Sequence, residues 1–347
     1  METTLKINYY GYFTPFGGYG IANFNWVKHL QRQGIKVYPH GKFMPMPGEK
    51  EWDVLNKEEK KIANIKFKTQ RIGIIETNPF DFDLIESDIK IANTMAESDI
   101  IGEKWVTICN EMDYIIVPNK FQKMVFVNSG VTVPVIIIPH GTETEKFPYF
   151  DRPKREIFTF GLCGWLDNRK GAFDLIQAFA SEFDKEEPVQ LKLHSTNQAF
   201  GYYKYFTDPR IITDIKLLSS EKLNEWYQSL DCFVFPSKAE GIGQPPREAM
   251  STGLPVIVTR YSGLEEIARK DIAYPLIPVS YTPRTDWVEQ PGNWANIDIQ
   301  ELMYQMRYVY EHQAEAKEKG RKASEWIRAN FSWEKAAKQM IEFLGTI

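Results

Sequence analysis

The sequence predicts an α/β protein of two parallel-sheet domains, and three observations carry the prediction. Short β-like runs alternate with amphipathic helical runs, a Pro- and charge-rich stretch over 139–155 breaks the series once, and the series then starts again. The length of 347 residues exceeds what one hydrophobic core usually serves, which leads independently to two units of roughly 150–200 residues.

The first series opens with a strand over 5–10. Residues 14–20 form a glycine-rich turn, and 21–33 are amphipathic at helical spacing through Ile21, Phe24, Val27 and Leu30. Gly34 stops that helix, and 35–38 is the next strand. Further strands are expected at 71–76, 89–94, 114–117 and 135–139, and 139–155 reads as a linker. The second series runs strand 157–161, helix 172–182, strand 189–194, helix 221–230, strand 232–236, helix 246–252 and strand 256–259. Residues 281–298, with their prolines and tryptophans, read as an irregular surface excursion. Residues 299–330 are largely helical, and 332–344 form a final amphipathic helix. The expected domains are 1–150, joined by the terminal helix 332–347, and 151–331.

Hydrophobic residues at 43% and charged residues at 25% give the balance of a soluble globular protein. The formal net charge of −4 supplies no global field toward nucleic acid or anionic lipid. Cys109, Cys163 and Cys232 lie far apart, fit no metal-ligand spacing and, being odd in number, make a poor disulfide framework. A cytoplasmic location, extending to the inner face of a membrane, is therefore expected. No run of about 18 apolar residues exists, so no transmembrane segment is expected. Residues 1–11 contain no signal-length apolar stretch. Peripheral membrane contact stays open through Lys57, Lys60, Lys61, Lys66, Lys68 and Arg71. The alternative is a solvated face, and the alternation at 65–67 suggests lysines facing water from a strand.

The chemistry concentrates in Pro236-Ser-Lys-Ala-Glu240-Gly-Ile-Gly243-Gln-Pro-Pro-Arg-Glu248, continuing to Ile257. Two carboxylates lie eight residues apart, across a glycine-rich turn that enters a helix. Glycines let the backbone approach a ligand, and Pro245 and Pro246 suit a first helical turn. The N–H groups of a helix start form a phosphate site, and Glu248 can accept hydrogen bonds from a diol such as ribose. A second stretch, Phe160-Gly-Leu-Cys-Gly164-Trp-Leu-Asp-Asn-Arg169-Lys170-Gly171, places two cations before another helix. No compact Asp-x-Asp occupies a strand-exit loop; Asp81-Phe-Asp83 reads as surface or helix start.

These two stretches resemble the Glu-x7-Glu motif and the Lys-Gly loop of the family 4 retaining glycosyltransferases. That family has the GT-B fold, two Rossmann-like domains facing a cleft, with the C-terminal helix returning to the first domain. The first half adds Glu97-Ser, Trp105-Val, Cys109-Asn and Val117-Pro-Asn119 at matching places. The resemblance implies that Glu248 holds the ribose and Glu240 lies against the donor sugar. It further implies that Gly241, Ile242, Gly243 and Gln244 meet sugar hydroxyls and phosphate, and that Lys170 and Arg169 clamp the diphosphate. Trp165 stands where the family usually has its arginine, so Arg169 is the candidate for the second charge. The loop of Gly17 and Gly18 matches the family's first loop. Thr94 stands where many members carry a histidine. Glu97 is the candidate acceptor-side or sugar-side contact, the alternative being a helix N-terminal glutamate stabilised by the dipole. His140 is expected to be structural, and Trp165, Trp226 and Trp333 to be core or interface.

The function so implied is transfer of a hexose-type sugar from a nucleotide-diphosphate sugar, with UDP- and GDP-sugars the expected donors. Configuration would be retained, and the acceptor would be a glycan, lipid-linked or other hydroxyl. Neither cofactor nor metal is expected. A nucleotide-sugar epimerase of the same fold and a nucleic-acid-modifying glucosyltransferase are the alternatives. The acidic balance weighs against nucleic acid.

Overall fold

The computed structural model describes residues 5–14, 17–41, 55–196, 208–285 and 291–347. Two residues of the glycine-rich turn and the tip of the 281–298 stretch fall outside them.

Strands β1 (Lys6–Gly11), β2 (Lys36–His40), β3 (Ile72–Glu76), β4 (Ile89–Asn93), β5 (Tyr114–Val117) and β6 (Val135–Ile137) form an all-parallel sheet in the order β2-β1-β3-β4-β5-β6. Strands β7 (Phe158–Cys163), β8 (Val189–Ser195), β9 (Ile211–Ile215), β10 (Cys232–Phe235), β11 (Val256–Thr259) and β12 (Tyr274–Leu276) form a second, in the order β12-β11-β10-β7-β8-β9. Central strands such as β10 are buried along their whole length, as parallel strands covered on both faces must be. In each sheet the chain reverses direction at one place, between β1 and β3 and between β7 and β10. Ligands of open α/β sheets bind at such switch points, beyond the strand C-termini.

Helices α1 (Gly18–Arg32), α2 (Lys57–Ala63), α3 (Glu103–Cys109) and α4 (Lys120–Asn128) belong to the first half. Helices α5 (Ala172–Glu182), α6 (Ser220–Gln228), α7 (Gln244–Ser251), α8 (Ile299–Glu311) and α9 (Gln313–Asn330) cover the second. Helix α10 (Trp333–Leu344) returns to the first half, burying Trp333, Ala336, Ala337, Met340 and Leu344 in the same core as Ile7, Val27 and Ile74. Thr142 pairs with Ser332 as that helix begins, which ties the linker to the return.

Three expectations need correction. The described parts of 278–297 are a pair of antiparallel strands, β13 (Pro278–Pro283) with β14 (Asn293–Ile297), not an irregular excursion. Its Trp294 and Ala295 are buried with Ala96, Ile101, Trp105 and Phe121 of the first half, and with Ala239 and Tyr261 of the second. The basic cluster is carried partly on α2, which a reciprocal Asn56–Glu59 capping box starts, while 65–70 form no strand. Trp165 is 58% exposed, so it is not core.

Candidate active site

Lys170 and Glu240 sit on the two loops that leave β7 and β10, the strands flanking the second switch point. The loops are stitched together by their backbones. Arg169 O accepts from the Lys238 N–H at 2.7 Å and from the Ser237 hydroxyl at 3.2 Å. Gly171 takes the left-handed φ of 68° that starts α5, and a Cβ there would lie 2.3 Å from Pro236 O. Gly243 plays the matching part before α7, with φ 78°.

Glu240 is buried, and three donors converge on its Oε1: Lys170 Nζ at 2.5 Å, Ser237 Oγ at 2.6 Å and Arg169 at 3.2 Å. Its backbone N–H donates to Ser262 Oγ at 2.8 Å. Burial opposes its charge, but Lys170 and Arg169 outweigh burial and hold the carboxyl below its ordinary range. Among the described residues Oε2 takes no protein donor. The N–H groups of Gly241, Ile242, Gly243 and Gln244 likewise donate to no protein acceptor among the described residues. Pro245 and Pro246 remove two further N–H groups from the α7 start. The free N–H groups here are therefore those of the loop and of Gln244 at the start of α7.

Glu248, in α7, accepts the Tyr227 hydroxyl at 2.9 Å. Burial pushes its carboxyl up to about 7, against the Tyr227 hydrogen bond and the nearby Lys146. A carboxyl so placed ionises near neutrality and can then accept from a pair of ligand hydroxyls.

The first half closes over this loop. Glu97 lies in the loop after β4, not at a helix start, so the helix-dipole alternative is set aside. Its carboxylate pairs with Arg169 at 3.0 Å across the cleft, and 40% of its side chain remains exposed. Burial raises its carboxyl above the ordinary range, with Arg169 pulling the other way. Arg169 thus bridges Glu97 and Glu240. Asn119 donates from Nδ2 to Gly241 O at 2.8 Å, and a Cβ on Gly241 would meet Met95 Sδ at 2.3 Å. Gln244 donates to Gly141 O of the linker at 2.9 Å. Thr94 is fully buried, and Gly17 and Gly18 lie exposed at the start of α1. Asp81 accepts from Thr77 and Asn78 in a 3-10 turn. Among the described residues no group of three or more His, Cys, Asp or Glu could hold a metal ion. No described helix is long and apolar enough to cross a membrane.

Residues 157–283 match the family model described as Glycosyl transferases group 1. The matched segment contains Lys170, Arg169, Glu240, Glu248 and the loop between the two glutamates. The lipopolysaccharide core biosynthesis mannosyltransferase LpsB of Rhizobium meliloti (strain 1021) is 46% identical over 153 residues, 39% of this chain and 43% of the relative. The chain spans less than half the length of the curated relatives it matches. The sucrose-phosphate synthase of Thermosynechococcus elongatus superposes with a TM-score of 0.74 at 16% identity, over 99% of this chain and 98% of that one. Anabaena Alr3699/HepE, solved in complex with UDP and glucose, superposes with a TM-score of 0.68 at 14% identity, covering 99% and 100%. The fold is GT-B.

Several participants carry no signal of their own in the sequence. Ser262 and Tyr227 anchor the two glutamates only through tertiary contact, whereas Ser237 reaches Glu240 locally, from three residues away. Arg247, inside the motif, is turned away: fully buried, it lies 4.0 Å from the Phe331 ring centroid and pairs with Glu266 at 3.2 Å.

His140, expected to be structural, is buried between Trp26 and Trp333, with Nε2 3.2 Å from the buried Glu76 carboxyl at the end of β3. Tyr9 donates to the other Glu76 oxygen at 2.5 Å. Burial pushes Glu76 up to about 8 and His140 down to about 3, so the pair is neutral around pH 7. The unfolded carboxyl ionises from about 4.5, so above that pH the unfolded chain releases a proton the folded chain keeps, and stability falls until about pH 8. Between about 6.5 and 3 the His140 contribution has the opposite sign, and the two oppose each other below 6.5. Glu76→Gln should therefore gain about 2 kcal/mol on the wild type between pH 6.5 and 8. Urea denaturation at both pH values checks this; parallel profiles would show an ionised Glu76.

Proposed function

We propose that this chain is a retaining glycosyltransferase. It takes the donor, a UDP- or GDP-hexose, mainly on the second domain, and a glycan, lipid-linked or other hydroxyl acceptor on the first. The observation that carries the reading is the Glu240 carboxylate. One oxygen is anchored by Lys170, Arg169 and Ser237, and the other is left to a ligand beside four unspent backbone N–H groups. The free N–H groups and the two cations suit a diphosphate, Glu248 suits a ribose, and Glu240 orients the sugar and favours positive charge on it. The acceptor attacks the anomeric carbon from the face the diphosphate leaves, and the departing diphosphate oxygen receives the acceptor proton. Lys170 and Arg169 stabilise the charge left on that diphosphate.

A thermal-shift panel of UDP-, GDP- and ADP-sugars tests donor binding. A site ligand at 100 times its dissociation constant stabilises by about 2.7 kcal/mol. No shift with any member contradicts the reading. Turnover is expected to survive EDTA, because fixed cations take the place of a metal at the leaving group. Loss of turnover in EDTA, restored by Mg²⁺ or Mn²⁺, would show a metal-dependent route.

A further inference from the structure

The second half carries a cavity for which the proposed reaction has no use. It measures about 480 Å³ and lies between the linker at 149–155, the first turn of α9, and the starts of β7, β10 and β11 at Phe158, Asp231 and Pro255. Those are the N-terminal ends of the strands. Lys170 and Glu240 sit on loops at the C-terminal ends, so the cavity and the candidate active site occupy opposite edges of one sheet. Charge on the cavity walls is unbalanced. Arg155 is matched by Asp231 at 2.5 Å and Lys317 by Asp151 at 2.7 Å. Arg152, only 8% exposed, is not matched. Its five N–H groups go to the carbonyls of Phe150, Tyr227, Leu230 and Thr252 and to the Thr252 hydroxyl, and among the described residues it pairs with no carboxylate. Burial and the adjacent Arg155 oppose its charge more than Asp231 favours it, so a buried cation stands short of a counter-charge. Lys154, exposed on the rim, has no carboxylate partner among the described residues either, and Glu311 on the same wall pairs with neither.

The start of α9 adds donors to the same wall. His312 precedes the helix without a side-chain cap, and the N–H groups of Gln313, Ala314 and Glu315 donate to no protein acceptor among the described residues. The Glu315 carboxylate is engaged by the Tyr308 hydroxyl. The helix is 18 residues long, and Gln313 and Ala314 bring its positive end to the cavity. We propose that this cavity binds a small phosphate monoester, at a site separate from the nucleotide-sugar cleft. The phosphate lies between the α9 start and Lys154 and supplies the counter-charge that Arg152 lacks. The volume is that of a small-molecule pocket, so the phosphate brings an organic part with it. Tyr149, 41% exposed, and Pro153 form the apolar wall that receives it.

Arg152 holds the ends of α6 and α7, so the test leaves it in place and compares wild type, Lys154→Ala and Ala314→Glu. Both substituted residues are exposed, and a glutamate in a first helical turn suits the helix while setting a carboxylate where the phosphate would lie. Calorimetry on the full chain, in phosphate-free buffer, uses glucose 1-phosphate, UMP and inorganic phosphate as probes. Each is titrated alone and again with UDP and GDP both present to fill the nucleotide cleft. At least one ester should bind more tightly than inorganic phosphate and keep its affinity when UDP and GDP are present. Lys154→Ala should weaken that ester about tenfold or more, from the lower end of the range for hydrogen bonds to a charged group. Ala314→Glu should abolish its binding, and melting curves show that both variants are folded. No binding of either ester at millimolar concentration, an ester no tighter than inorganic phosphate, displacement by UDP or GDP, or unchanged affinity in either variant overturns the inference. The outcome is independent of the glycosyltransferase reading, because neither substitution touches the cleft and the cavity can fill whether or not UDP or GDP binds.

Discussion

Lys170→Ala is expected to lower kcat by about 10²–10³-fold, the range for removing one preorganised group that meets developing charge. The reason lies in what Lys170 does in each state. Its ammonium lies 2.5 Å from Glu240 Oε1 and 5.3 Å from the centre of the Phe235 ring, a fixed and buried position. Charge on a diphosphate grows as the glycosidic bond breaks, so a cation held there gains more in the transition state than in the ground state. Glu240 is not stranded by the change, because Arg169 and Ser237 still reach the same oxygen. A melting curve of the variant separates loss of fold from loss of chemistry. A variant with normal kcat and a raised KM for donor would remove the leaving-group role.

Glu248→Ala should instead act on binding, weakening nucleotide affinity by about 1.5–3 kcal/mol, the range for hydrogen bonds to a charged group. The wild type adds a pH signature. With its carboxyl raised to about 7, Glu248 must lose a proton before it can accept two hydroxyls. Nucleotide affinity should therefore rise with pH and level off above 7, with about a tenfold difference per pH unit below that point. Glu248→Ala should lose this slope. Calorimetry at pH 6 and 8 reads both effects, and a slope retained in the variant would assign the titration elsewhere.

The motif residues whose spacing is local were legible in the sequence: two glutamates across a turn, and a lysine before a glycine and a helix. The structure gathers Lys170, Arg169, Glu240 and Glu97 into one ion-pair cluster. The partners of the two glutamates at Ser262 and Tyr227 were not legible, because they acquire meaning only when separate loops meet. In the fold, buried central strands announced themselves through apolar runs. Strand β9 did not, being a partly exposed edge with Asp214 in its midst. Strand β12 is three residues long and contains a proline. The β13–β14 hairpin was hidden because its prolines at 278 and 283 sit on an exposed strand, where a missing N–H is tolerated. The long helical stretch proved to be two helices that meet at His312, with neither glycine nor proline to mark the break.

That hairpin has a consequence for modularity. Asn293 takes two hydrogen bonds to Asp99, at 2.7 and 3.1 Å, and Ala295 N–H donates to Lys238 O at 3.0 Å, two residues before Glu240. Trp294 and Ala295 complete an apolar layer whose other members come from both halves. Neither half owns its inner face. A chimera that exchanged only the second half with a relative would set a foreign hairpin against Ala96, Ile101 and Phe121, leaving voids or overlaps in a packed layer. The exchangeable unit is thus the second half together with the 94–101 loop and the facing side of α4, so the two halves are bound to change as partners.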